Sequence, residues 1–299
     1  MIGLAVMLAL ALAPAAPLST CDDLAQTLGG TAAPSGTVCK VNLPRRGLKV
    51  TLLGATLPTG MGLTSWAAFL PVPGGQDMVM GDLLLLPDEV GPVSAGLLQR
   101  GITVTAMHHH MMGEEPMLTY VHYLGRGPAA DLAKSLRAAL DRAPSSLGQG
   151  AAGPALSGTP AVVAGTPCAR IEQVLGARAG SADTGPGYCK VTIGRPDNEV
   201  QVQGVPIPAA MGVSSWFAFR ETADGKAAVV AGDMALPQGQ VAAALKALAG
   251  TGVQVVVVHN HMLFDEPRIV FFHFQGRGPA EDLAGALKAA RDAAQAAAP

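Results

Sequence analysis

A chain of 299 residues with 49% hydrophobic side chains is long enough to bury one large core or two of ordinary domain size. Its net charge of −2, with no basic run and no aromatic-basic interleaving, excludes a nucleic-acid partner, which needs an electropositive face. It has no Gly-x-Ser-x-Gly turn and no phosphate-binding glycine loop followed by Lys, so esterase-type and nucleotide-dependent chemistry lack their residues.

The chain opens on an apolar stretch that ends in small residues and prolines, the pattern of a secretory signal, although no Lys or Arg precedes it. About a dozen apolar residues before Pro14 fall short of the ~20 that a spanning helix needs. Residues 1–20 are therefore expected to be an export signal that is removed, leaving a periplasmic, secreted or envelope-associated protein. Cys21 and Cys39 flank one stretch, and Cys168 and Cys189 flank its counterpart, which predicts one disulfide in each copy, worth about 3 kcal/mol by loop closure. Leu18-Ser-Thr-Cys21 also reads as an imperfect lipobox that would place a lipid on Cys21 and the protein on a membrane. Thr before the Cys is poor for that role, and Cys39 supplies a partner.

In chain order, Cys21 to Leu28 is a short helix stopped by Gly29-Gly30, with Asp22 and Asp23 in its first turn. Val38 to Leu43 and Leu48 to Leu53 read as a hairpin turned at Arg45-Arg46-Gly47, and Ser65 to Phe69 and Asp77 to Leu86 as further strands. Asp88 to Arg100 is a helix closed by Gly101. A strand from Ile102, a return strand through His122 and a helix from Pro128 to Leu140 follow; the last carries a Leu132, Leu136, Leu140 stripe. The order is then retraced: Cys189-Lys190 matches Cys39-Lys40, Met211 to Trp216 matches Met61 to Trp66, and Gly232-Asp233 matches Gly81-Asp82. Residues 141–166, rich in Ala, Gly, Pro and Ser, form the linker between a first repeat at 21–140 and a second at 167–299. The expected fold is α+β: two tandem repeats, each a mixed β-sheet covered by helices. The run 253–258 is apolar on both parities, as in a central strand.

All seven histidines fall in two windows with the pattern His-x-His-x4-Glu-x6-His: His108, His110, Glu115, His122, and His259, His261, Glu266, His273. Alternation puts each His-x-His pair on the face of the apolar residues before it, Ile102, Val104 and Ala106 or Val253, Val255 and Val257. Pairing His108 with His122 would leave a five-residue loop, 113–117, with Glu115 at its tip. His109 is the dispensable one, since Asn260 replaces it. Neutral imidazoles with one carboxylate suit zinc, with copper or another divalent transition metal as the alternative; Met107, Met111 and Met112 would tilt the first site towards copper. Glu115 and Glu266 would serve as fourth ligand or general base.

Trp66 and Trp216 read as core side chains. Asp82 and Asp233, each after Gly in a strand-like run, would either orient a histidine of the adjacent strand or mark a bulge. Arg126 and Arg277, just before a helix N-terminus, are candidates to hold an anion or simply to cap the surface.

The Gly-Asp-x4-Pro run at 81–87, Gly-Ile-Thr-Val-Thr-Ala-x-His-x-His at 101–110, Glu115-Pro116, Tyr120-x-His122 and Gly-x-Gly before a Leu-rich helix resemble the LppY/LpqO family of exported bacterial proteins, in both repeats. The resemblance implies export and carries no established activity. Two functional expectations follow. One is an exported protein with a metal site in each repeat, either binding a metal or acting as a metal-dependent enzyme on a small or envelope-derived substrate. The other is a non-enzymatic cell-envelope binding module with structural histidines.

Overall fold

The structure is a computed structural model describing residues 20–45, 47–143, 162–196 and 199–297. Residues 1–19, expected as the export signal, and 144–161, most of the expected linker, lie outside the described residues.

The first repeat runs α1 (Cys21–Leu28), β1 (Thr31–Ser35), β2 (Val38–Pro44), β3 (Thr64–Val72), β4 (Gln76–Leu85), α2 (Pro87–Leu98), β5 (Thr103–His108), β6 (Thr119–Gly127), α3 (Ala129–Leu140). The second runs α4 (Cys168–Leu175), β7 (Ala182–Gly185), β8 (Tyr188–Ile193), β9 (Ser215–Glu221), β10 (Ala228–Pro237), α5 (Val241–Leu248), β11 (Val253–His259), β12 (Ile269–Gly278), α6 (Ala280–Ala296). Their six-stranded sheets have the same order, β1-β2-β3-β4-β6-β5 and β7-β8-β9-β10-β12-β11. Two tandem α+β repeats, each a sheet covered by helices, is thus the architecture.

Every pairing within the two sheets is antiparallel, where a mixed sheet was expected. The strand-helix-strand order is real, and β4 and β5 do run parallel, but the return strand β6 is inserted between them and separates them. The same insertion puts β11 at the edge and β12 inside, which corrects the expected central position of 253–258. The apolar edge meets the other repeat: Asn260 Nδ2 donates to the Thr105 carbonyl at 3.0 Å, and Thr105 Oγ1 donates to the His261 carbonyl at 2.6 Å. Among the described residues the expected pairing of Val38–Leu43 with Leu48–Leu53 is not formed either. β2 pairs with β1 and β3, while Thr51–Leu52 folds onto Ala55–Thr56 in a small ribbon.

Alternation sorts each sheet into two faces. In the first repeat Ala67, Phe69, Val79, Leu83, Leu85, Val121 and Tyr123 pack under the helices with Leu28, Leu97 and Leu136. In the second, Phe217, Val230, Phe272 and Phe274 do so with Ile171, Leu248 and Leu287. The opposite faces meet between the repeats, giving four layers with helices outside. Each repeat also sends the excursion between its second and third sheet strands across to the other: Val200, Val202 and Ile207 pack on Ala68, Leu70 and Met80, and Leu52, Ala55 and Met61 join Tyr188, Ala218 and Ala231. The two repeats therefore share their inner cores. Disulfides Cys21–Cys39 and Cys168–Cys189 pin each repeat's first helix to its second strand. Among the described residues no helix is long and apolar enough to cross a membrane.

Candidate metal centre

A register line crosses the inner face of each sheet. Trp66 pairs with Asp82 and Asp82 with His122; in the second repeat Trp216 pairs with Asp233 and Asp233 with His273. The His-x-His pairs reach that face by a bulge. The β5–β6 register shifts between Val104 and Ala106, and the β11–β12 register between Val255 and Val257. An extra residue reverses the parity of everything after it. Val104 and Val255 thus lie on the helix side, while His108 and His259 emerge on the inner face. The expected continuity of the histidines with Ile102 and Val104 is corrected accordingly, and so is the register: His108 pairs with Tyr120, and Ala106 with His122.

The consequence is one cluster in place of two sites. Ring centroids of His108 and His259 lie 3.8 Å apart, those of His110 and His273 3.9 Å, and those of His122 and His261 4.0 Å. Each is a contact across the repeats, and exchanging the repeats maps the three pairs onto one another. Asp82 Oδ2 stands 3.4 Å from His110 Nε2, and Asp233 Oδ2 stands 3.2 Å from His261 Nε2. Among the described residues there are four overlapping sets of donor atoms, the atoms of each set within 4.8 Å of one another, including His108, His122, His259 and His261, and Asp233, His259, His261 and His273.

Outer contacts fix several rings. His273 Nδ1 lies 3.0 Å from the Gly232 carbonyl, and His261 Nδ1 lies 3.1 Å from the Gly212 carbonyl; donation there leaves each Nε2 as a lone-pair donor. Gly212 and Gly62 have φ of 98° and 80°, and a Cβ on either would meet the other repeat's tryptophan, Trp66 at 2.7 Å or Trp216 at 3.3 Å. Small left-handed residues let these loops close over the centre. Among the described residues, buried side-chain atoms without a hydrogen-bond partner gather here: Asp82 Oδ1, His108 Nε2, His110 Nδ1, His122 Nε2, Asp233 Oδ1, His259 Nδ1 and His273 Nε2. Orphaned buried donors and acceptors are costly, and so many in one place is the signature of a site that something completes.

Burial favours the uncharged forms. It pushes His108 down to about 4, against the partial support of Asp82, and pushes His110, His122 and His273 well below their ordinary value, with the neighbouring imidazoles adding to the effect. Burial also raises Asp82 to about 6, opposed by His108, His261 and Lys40. These shifts favour His108, His110, His122 and His273 as neutral imidazoles, the form that ligates metal ions.

The glutamates do not join. Glu115 and Glu266 are exposed, and their backbones pair with the ribbons at Thr51 and Gln201. The connection is a 109–118 segment, longer than expected, and its buried carboxylate is the preceding residue: Glu114 accepts from Leu118 N at 3.1 Å, and Asp265 from Ile269 N at 2.7 Å. Asp82 and Asp233, expected at most as orienters, are the carboxylates in the cluster, and no bulge occurs at them. Arg126 and Arg277 are exposed; Arg126 reaches the Gln203 carbonyl, and Asp77 occupies the first amide of α3, so no anion site is formed at that terminus. His109 lies outside the cluster, with Nδ1 2.6 Å from the Leu118 carbonyl. Two residues were missed. Lys40 and Lys190 stand over the rings of Trp66 and Trp216 at 4.3 and 4.9 Å, and burial lowers both, Lys40 to about 8. Their signal was available as the repeated Cys-Lys pair.

A family model described as Domain of Unknown Function (DUF1259) matches residues 22–142 and again 169–293. The chain belongs to this DUF1259 family. The LppY/LpqO assignment is corrected by that match. No curated protein matches. Solved structures with some similarity to this DUF1259 chain are the trimeric microcompartment shell protein PduB (12% identity, 86% of each chain, TM-score 0.19), EtuB from Clostridium kluyveri (9% identity, 90% of this chain and 91% of that, TM-score 0.21) and a fused permuted hexameric shell protein of the RMM microcompartment (14% identity, 85% and 96%, TM-score 0.18). With TM-scores this low, the likeness carries no argument about function. The expected export and envelope-derived substrate or ligand are not carried further, and the expected metal site in each repeat is corrected by the one cluster that the histidines of both repeats form. A lipid on Cys21 is excluded separately, because its sulfur is bonded to Cys39.

Proposed function

We propose that the six histidines and two aspartates form one composite centre for a divalent transition-metal ion of the zinc class, and that the ion ties the two repeats together. The observation that carries this reading is the set of orphaned buried polar atoms contributed by both repeats. A zinc ion with ligands at about 2.0–2.1 Å would satisfy several of them at once. The role follows from enclosure. His108, His110, His122 and His273 are at most 7% exposed and His259 and His261 are half-buried, nearer to closed structural sites than to a catalytic metal, which keeps a position open to substrate. Because the ligands come from both halves, binding energy is available only to the docked pair, and occupancy stabilises the whole body by mass action.

The test is elemental analysis of protein purified without a histidine tag, with thermal melting in zinc and in chelator. The expected result is bound metal and a melting temperature that falls on chelation. Metal-free protein whose melting is indifferent to zinc would overturn the reading and leave the histidines as packing.

A further inference from the structure

The imidazole cluster is closed on most sides, but His108 also lines a cavity of about 300 Å³ that opens outward. Its walls are the 107–117 segment of the first repeat and Val256 and Val257 of the second, and they carry Met107, Met111, Met112 and Met117 together with His109. Met107, Met112 and Met117 are 48%, 52% and 52% exposed. Folding gives no reason to present three long apolar side chains around an open hollow. The corresponding positions of the second repeat are Val258, Leu263 and Arg268, with Asn260 in place of His109, so repetition of the fold does not explain them. The segment is also held in place: Gln275 of the second repeat receives Met112 N at 2.8 Å and donates to the Met112 carbonyl at 3.0 Å.

Thioethers are soft, uncharged ligands that favour monovalent copper over zinc, and an adjacent imidazole completes a mixed sulfur-nitrogen set. We infer that this cavity is a binding site for a soft monovalent cation of the Cu(I) class, held by the methionines with His109 and bordering the imidazole centre through His108. It stands apart from the zinc reading, since it uses other donors and another ion.

The experiment is an anaerobic Cu(I) titration of the full chain against a chromophoric chelator, with copper-edge absorption to identify scatterers. Met107→Leu, Met112→Leu and Met117→Leu combined conserve volume at exposed positions and leave the fold intact. The expected result is sulfur scatterers in the wild-type spectrum, their loss in the triple variant, and Cu(I) affinity weakened by about tenfold or more, with zinc binding unchanged. His122→Asn with His261→Asn should keep Cu(I) and lose zinc. Methionine-dependent Cu(I) binding in a protein that takes no zinc would support this site and sink only the central zinc reading. Copper held without sulfur scatterers, a triple variant that binds Cu(I) like the wild type, or a full chain that binds none would overturn the inference, and an apolar partner segment would then be the better occupant.

Discussion

The two histidine hairpins are alike where they face each other and unlike where they face outward. Trp66, Asp82, His108, His110 and His122 have identical counterparts in Trp216, Asp233, His259, His261 and His273, whereas the exposed Met107, Met112 and Met117 are answered by Val258, Leu263 and Arg268. The difference teaches that the inner face answers to a pseudo-twofold contact, in which each residue serves its own repeat and the other. Exposed side chains carry no such double duty and are free to differ, so a feature found on one hairpin alone, such as the methionine cavity, needs its own cause.

The largest way to break the comparison is to empty the shared core. Phe271 is fully buried with its ring centroid 3.5 Å from that of His261, and Phe271→Ala should cost about 3–5 kcal/mol. Because the inner cores are joint, urea denaturation should remain a single transition for both halves. Two separate transitions would show that the repeats fold as independent domains.

Next comes the carboxylate pair. Asp82→Asn and Asp233→Asn should each weaken zinc binding by about 10–100-fold, and by similar amounts, since the residues occupy equivalent places. Unequal losses measured by competition with a zinc chelator would show that the centre sits on one repeat's side.

Acid should strain both halves together. With His108 held at about 4 against an ordinary 6.5, the unfolded chain binds protons below about 6.5 that the folded chain refuses. His110, His122, His259 and His273 are shifted the same way. Asp82, raised to about 6, and Asp233, also raised, work in the opposite sense, because their folded forms take up protons first. Five imidazoles outweigh two carboxylates. The stability of metal-free protein should therefore drop as pH falls from about 6.5 towards 4.5, by about 1.4 kcal/mol per pH unit for each excess proton, which is read as a falling melting temperature. A flat profile would mean that the rings are solvated.

The smallest effect is at Tyr120, whose buried hydroxyl has no partner among the described residues. Tyr120→Phe makes the first hairpin match Phe271 of the second and should change stability by no more than about 1 kcal/mol, in the stabilising direction. A clear loss in chemical denaturation would reveal a hydrogen bond that this account lacks.

Much of this was legible beforehand because it rests on short-range pattern. The repeat, the cysteine pairs and the strand-helix-strand order after β4 follow from periodicity and punctuation in the chain itself. The site was legible as residue types and misread as geometry. One bulged residue in each hairpin, Thr105 and Val256, turned the His pairs to the other face, and no propensity marks a bulge at Thr or Val. Glu115 drew attention by its spacing, yet the backbone of 115 is used for pairing with Thr51. Asp82 and Asp233 gained their places from cross-strand register and from the opposing repeat, both long-range properties.

The central claim is that there is one centre, shared between the repeats. It is tested most directly by the zinc stoichiometry of the full chain beside His122→Asn and His273→Asn, each disabling ligands of one repeat only. A shared centre predicts one zinc per chain in the wild type and little or none in either variant. Two zinc ions per chain, with each variant keeping one, would contradict it.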